Sequence, residues 1–263
     1  MVIITKRKLK KQVKKRFTKI LLIILVISLI CIVVVFGQYY LELSKELTPI
    51  DSKKDYYNLS DFGFVKIKSE YDYNNNGVDD YTDIFNGAKE YAEFNPAYVS
   101  KYYAGGYPPV EEEGACTDLI WYALMQAGYD LKSMMAQDIR DEYDNNTYGI
   151  EIIDDNIDFR RVGNQEIFLL RSAESLDTDI YNVGDFMPGD IVTFDDSAHI
   201  AMISDKYNEN GVPYLIQNRD ETQEVKEEDR LEITDMQVTG HYRFEYNESL
   251  QNLINKIDNE EAQ

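Results

Sequence analysis

Cys116 and His199 are the two side chains best suited to nucleophilic chemistry. Cys116 is the only cysteine after residue 37, so no disulfide can form within that part of the chain. It follows Gly114-Ala115 and opens an apolar stretch to Ala127 with helical spacing that stops at Gly128. A thiol at a helix start meets the positive end of the helix dipole, which favours the thiolate. The free N–H groups there suit an oxyanion. Such a nucleophile needs a base, and the chain offers two histidines. His199 heads a strand-like run to Ser204, after the turn Pro188-Gly189-Asp190 and a strand Ile191 to Phe194. That hairpin aims an imidazole from a sheet edge. The next strand, Tyr214 to Asn218, ends in Gln217-Asn218, and a side-chain amide there would fix the histidine tautomer. Alternation puts the two amides on opposite faces, so only one of them serves. The bland alternative is a small buried cysteine and a structural histidine.

A second constellation has metal-ligand spacing. Asp72, Asn74, Asn76, Asp80 and Asp83 put oxygen side chains at positions 1, 3, 5, 9 and 12 of an EF-hand-type loop. Gly77 stands at position 6, where the chain must turn sharply, and Val78 offers its carbonyl at 7. A shorter Asp at position 12 implies weak calcium binding, of a structural kind suited to the outside of a cell. The alternative is an Asn/Asp-rich turn.

The elements that must position these groups follow from periodicity. Asp80 to Phe94 has helical spacing, Cys116 to Ala127 is a helix, and Leu131 to Tyr143 is a third. Tyr102 to Gly114 is a loop with Pro108-Pro109. The strands Ile191–Phe194, His199–Ser204, Tyr214–Asn218 and Gly240–Phe244 come later. Helices first and strands after argue an α+β fold with an antiparallel sheet.

Ahead of this lies an uninterrupted run from Ile20 to Phe36, apolar but for Ser28. With Gly37 it reaches the lower length limit of a spanning helix. Residues 1–19 hold nine Lys or Arg and no acid, which keeps them cytoplasmic and places the rest outside. The organisation is thus a basic segment 1–19, a transmembrane anchor 20–37, a juxtamembrane stalk 38–70, a domain 71–246 and a short helical or frayed tail 247–263. A cleaved signal peptide is the rival, disfavoured by segment length.

The formal net charge of −21 hides a split, because all 48 acids face only 18 bases after residue 19. That surface repels phosphate backbones and argues against nucleic acid.

The stretches Tyr102–Pro109, Cys116–Asp118, Asn156–Val162, Pro188–Val192, His199-Ile200 and Gly240–Arg243 resemble domain-of-unknown-function family 1287. That family is similar to the NlpC-type papain-like amidases, which cut peptide bonds in bacterial cell-wall stems. The resemblance implies a papain-like core with N-terminal helices packed on an antiparallel sheet after one transmembrane helix. It implies Cys116 as nucleophile, His199 as base and peptidoglycan or a cell-wall peptide as partner. Where NlpC-type enzymes often carry a third His, this chain has Gln217, with Asn218 beside it. That departure keeps a degenerate binding module and a Cys-His acyltransferase in view. Tyr107, Asp118, Arg160 and Arg161 fall in family motifs and are candidate substrate contacts. The two arginines suit a substrate carboxylate, although salt bridges within an acidic domain are the preferred reading. His241 is expected to be structural.

Overall fold

The computed structural model describes residues 28, 32–38, 55–234 and 236–261. Residues 32–38 are helical. Among the described residues no helix is long and apolar enough to cross a membrane. The basic segment 1–19, most of the anchor expected at 20–37 and residues 39–54 of the stalk lie outside the described residues.

The described residues from Asp55 onward form one compact unit. Its first long helix, α1 (Asp80–Phe94), buries Ile84, Phe85, Ala88 and Tyr91 along one stripe. The Asp79 side chain caps it by accepting the Thr82 N–H, and Asn95 ends it at φ 49°. α2 (Cys116–Gln126) is apolar on almost every side and accordingly sits inside the core. It stops at Ala127-Gly128, where Gly128 takes φ 90°. α3 (Leu131–Asp141) follows, capped by Asp130. A fourth helix that periodicity did not suggest, α4 (Val162–Ser172), buries Phe168 and Leu169. A two-residue parallel pair, β1 (Ala97–Tyr98) with β2 (Glu113–Gly114), carries the chain into Cys116.

The remaining strands are β3 (Glu174–Ser175), β4 (Ile191–Phe194), β5 (His199–Tyr207), β6 (Pro213–Ile216), β7 (Glu227–Glu228) and β8 (Val238–Arg243). They form a six-stranded sheet in the order β3-β8-β4-β5-β6-β7. All of its pairings are antiparallel. The architecture is therefore mixed α+β with an antiparallel sheet, as the order of elements predicts. Both faces are covered. Ile191, Ile200, Met202 and Ile216 pack toward α1 and α2. Val192, Phe194, Ala201, Ile203 and Leu215 pack on the other side with Phe186 and Leu231. Double coverage leaves all four residues of β4 buried, the polar Thr193 included.

Residues 55–70, read from sequence as stalk, join this unit. Tyr57 exchanges backbone hydrogen bonds with Tyr207, and a 3-10 helix (Leu59–Phe62) follows it. Tyr57, Leu59 and Tyr207 form a small buried cluster. The polar spacing around these apolar residues hid it. The tail is helical as α5 (Glu248–Glu261), and buries Leu250 and Leu253.

Gly240 on β8 sits so close to Thr193 and Tyr242 that any added Cβ would fall on their hydroxyls. Gly240→Ala is expected to cost about 1–3 kcal/mol by overpacking. Gly105→Ala, with nothing within 4 Å, is expected to change stability by less than about 0.5 kcal/mol. Urea unfolding followed at the single tryptophan distinguishes the two.

Candidate active site

The start of α2 is fixed by charge. Asp118, in its first turn, accepts the Ala115 N–H at 2.7 Å. It also takes a bidentate pair from Arg160, Nε at 2.6 Å and Nη2 at 2.8 Å. Both side chains are essentially excluded from solvent. Arg160 Nη1 donates to the Lys101 carbonyl and its guanidinium lies over the Tyr103 ring at 4.7 Å. Thr117 Oγ1 donates to the Arg160 carbonyl, and Gln165 Nε2 donates to the Thr117 carbonyl. Asp118 and Arg160, candidates for substrate contact, are thus committed to each other and to the helix start. The preferred salt-bridge reading of Arg160 holds. Arg161 points away: its side chain is 60% exposed and stands 3.6 Å from Asp158. Tyr107 packs at a tilt against Trp121, ring centroids 4.9 Å apart, and receives the Lys132 ammonium on its face, leaving it half exposed.

Cys116, the first residue of α2, packs against β5. The backbone N–H groups of Ile200, the residue after His199, of Thr117 and of Cys116 itself lie near enough to the sulfur to favour its thiolate. The thiol is only 9% exposed. Burial, with the Asp118 carboxylate adding to it, pushes the thiol up to about 11 against those donors. The sequence expectation of a stabilised thiolate is corrected here. The helix end contributes N–H donors, but desolvation outweighs them.

His199 is the second half of the arrangement. Its Nε2 lies 2.8 Å from Gln217 Oε1. The amide orientation is set from behind, because Gln217 Nε2 donates to Glu228 Oε1 at 3.0 Å and Gln223 Nε2 donates to the same oxygen. An amide whose nitrogen faces a carboxylate must turn its oxygen to the ring. His199 then carries its proton on Nε2 and keeps the Nδ1 lone pair. Burial holds the ring below the usual histidine range, although the Gln217 bond raises it and Arg219 lowers it further. Thiol and imidazole are both neutral near pH 7. Gln217 is the amide that orients the ring. Asn218 faces the other way and donates to the Gly114 carbonyl at 2.9 Å and the Tyr91 hydroxyl at 3.0 Å. It tethers the loop entering Cys116 rather than touching the histidine.

The hairpin that presents His199 is strained. Asp195, Asp196 and Ser197 take φ of 47°, 50° and 73° in succession. Non-glycine residues pay about 1 kcal/mol or more each for that region. Glu166 on α4 compensates by accepting hydroxyls from Thr193 at 2.6 Å, from Tyr242 at 3.2 Å and from Ser197. Asp196 N–H also bonds Thr239 Oγ1.

Residues that motif reading missed complete the surroundings. Tyr98 on β1 lies within electrostatic range of the thiol, and burial and then the Cys116 charge raise its hydroxyl. Glu228 acts eleven positions from Gln217 along the chain. A Lys-Glu-Glu segment gives no sign of such a role.

His241 is structural as expected. Nδ1 faces the Asp177 carbonyl at 2.7 Å, Nε2 faces Asp190 at 3.0 Å, and the ring stacks on Phe186 at 4.1 Å. Neither nitrogen is left to act as a base.

The loop at 72–83 closes on itself. Asp72 accepts the Asn76 and Gly77 N–H groups at 3.0 and 2.8 Å, and Gly77 takes φ 90°. Asn74 and Asn76 both aim an amide nitrogen at Asp83 Oδ2, at 2.9 and 2.8 Å. Asp72, Asn74, Asn76 and Asp83 therefore converge, with the Val78 carbonyl next in the loop. Asp80 does not join them. Its oxygens accept the Tyr73 N–H and the buried Tyr129 hydroxyl, so it anchors the loop to the core. Among the described residues no group of three or more His, Cys, Asp or Glu stands ready to hold a metal.

Compared with family profiles, residues 85–244 match the one described as "Domain of unknown function (DUF1287)". That span holds Cys116, His199 and Gln217 and leaves the 72–83 loop outside it. No curated protein and no solved structure matches the chain.

Removing one partner of the Asp118–Arg160 pair strands a buried charge. Arg160→Met is expected to cost about 3–5 kcal/mol, and the double variant Asp118→Leu/Arg160→Met to recover most of it. Chemical denaturation of the four proteins in a double-mutant cycle checks this.

Proposed function

The chain belongs to the DUF1287 family, and from that premise we propose that it is an exported, membrane-anchored cysteine amidase or endopeptidase acting on cell-wall peptides. The core is read as papain-like, of the NlpC type. The observation that carries the reading is the packing of the start of α2 on β5: the N–H of Ile200 acts on the Cys116 sulfur, and the residue before Ile200 is His199, whose Nε2 is held by Gln217. The resting pair is neutral, so the base must act during the reaction. His199 Nδ1 takes the Cys116 proton as the sulfur attacks the carbonyl carbon. The N–H groups at the start of α2 receive the oxyanion. The imidazolium returns that proton to the leaving nitrogen, the C–N bond breaks, and a thioester remains. Water then attacks the thioester with His199 as base and restores the thiol. Gln217 and Glu228 hold the ring through both steps.

The basic block before the apolar run at 20–36 supports an anchor with the N-terminus in the cytoplasm and the domain outside. A second reading, a binding module without turnover, is favoured by one specific observation, the burial of the Cys116 sulfur. A structural calcium ion in the 72–83 loop is also part of this proposal. Asp72, Asn74, Asn76, the Val78 carbonyl and Asp83 would hold it, and it would brace the start of α1.

Iodoacetamide labelling of Cys116 separates enzyme from binding module. With His199 as base, labelling is expected to persist across neutral pH. It should fall only as acid protonates an imidazole titrating below its ordinary range. In His199→Ala only thiolate reacts, so the rate should climb about tenfold per pH unit until the thiol titrates near 11. Identical profiles for the two proteins would sink the catalytic reading. Digestion of peptidoglycan by the wild type but not by Cys116→Ala, followed by mass analysis, identifies the bond.

Calcium is checked separately. Chelator is expected to lower the melting temperature at calcium near millimolar, and Asp83→Asn to abolish that response. An unchanged melting temperature leaves the loop a turn.

A further inference from the structure

The helix that begins at Cys116 and the hairpin that presents His199 are separate segments, and α4 holds both. Two consecutive residues do so. Gln165 Nε2 donates to the Thr117 carbonyl at 3.0 Å and to the Phe159 carbonyl at 2.9 Å. Thr117 follows Cys116, and its Oγ1 returns a bond to the Arg160 carbonyl at 3.1 Å, just ahead of α4. Glu166 reaches the other half. Its Oε1 accepts the Thr193 hydroxyl at 2.6 Å and the Tyr242 hydroxyl at 3.2 Å, and its Oε2 accepts the Ser197 hydroxyl. Ser197 stands two residues before His199, and Thr193 lies on β4, which pairs with the strand that His199 heads. The first turn of α4 backs the same corner, since a Cβ added to Gly163 would meet Ser197 Cβ at 3.8 Å.

Neighbouring side chains on a helix diverge by about 100°, and their Cα atoms are about 3.8 Å apart. Gln165 and Glu166 therefore reach two segments from one rigid base. The apolar anchorage of α4 comes separately, from Phe168 and Leu169. Gln165 is buried, and among the described residues its Oε1 has no hydrogen-bond partner. A buried acceptor left unused is costly. An apolar side chain of that size would fill the space without that cost, so the amide is explained by the carbonyls it holds. We infer that Gln165 and Glu166 are positioning residues that set the approach of the Cys116 thiol to the His199 imidazole, with α4 as the spacer. This deepens the acyl-transfer reading and rests on it. Neither residue touches the reacting atoms. One acts through Thr117 and the other through the Ser197 corner. Three successive left-handed residues hold that corner in a costly backbone conformation. Without the Glu166 bonds it would relax and carry His199 with it, and a shift of about 1 Å in a reacting group costs on the order of a hundredfold in rate.

The test uses the full chain in detergent micelles and follows the iodoacetamide rate of Cys116 across pH. Glu166→Leu and Gln165→Leu each remove the bonds and keep the bulk. Each is expected to slow labelling at neutral pH by about tenfold or more, and to give the steep rise with pH of His199→Ala. Glu166→Gln keeps an oxygen for Thr193 and Tyr242 and offers Ser197 an N–H, so it is expected to stay close to the wild-type rate. Leu250→Ala, on α5, controls for lost stability alone and is expected to keep the wild-type profile, with urea midpoints measured for every variant. Gln165→Met serves if the leucine variant does not fold. A wild-type profile in either position's apolar variant, or the same loss in Leu250→Ala, overturns the inference. The acyl-transfer reading fails separately, when wild type and His199→Ala label alike. The setting of the imidazole is then read directly by NMR, because the chain has two histidines and His199→Ala assigns the ring signals. His199 signals that move in Glu166→Leu and not in Leu250→Ala sustain the positioning role without the catalytic one. Signals that stay in place in Glu166→Leu end both.

Discussion

The buried Asp118–Arg160 pair is the constraint on which the candidate site depends. Taking two charges out of water costs several kcal/mol each, and their attraction does little more than repay it. What the pair contributes is arrangement. One carboxylate ties the first turn of α2 to the Ala115 N–H and to a guanidinium that also reaches the Lys101 carbonyl and the Tyr103 ring. Three separate chain segments are thereby brought to the residue before the cysteine. The same carboxylate works against the thiolate by charge. The fold keeps its helix start rigid at the expense of a more acidic sulfur.

The imidazole is held by a different logic. A neutral amide fixes its tautomer, and a carboxylate one step removed fixes the amide. Placing the negative charge behind an amide keeps the ring oriented while sparing it the full pull of an adjacent anion. With burial acting on the ring as well, the imidazole remains an unprotonated acceptor at neutral pH.

Much of this was legible in the residues, and the limits have physical reasons. α1, α2 and α3 begin where their spacing indicates, and α2 stops at Gly128, while Asp79 and Asp130 cap α1 and α3 from the adjoining residue. The strands around His199 were visible because an apolar run between turn residues has few other uses. The choice between Gln217 and Asn218 was not legible, because it turns on which face of the sheet meets Glu228, a contact across strands. The thiol's acidity was misjudged because dipole arguments are local whereas desolvation depends on everything packed above. α4 was missed since Val162-Gly163-Asn164 weakens its opening turn, and Tyr57–Phe62 was missed because its apolar partners lie on β5. Asp80 matched a ligand position in the motif, yet a tyrosine 49 residues away claimed it first.

The left-handed turn at Asp195–Ser197 has a consequence for how this protein can change. Turns between strands are ordinarily where chains tolerate gains and losses of length. Here the turn's left-handed residues are matched to Thr239 and Glu166, and the histidine follows within two positions. Because side chains alternate along a strand, a single inserted or deleted residue would carry the imidazole to the opposite side of the sheet. Length at this corner is therefore as tightly set as residue identity, and natural variation should collect at the other loops while sparing this one.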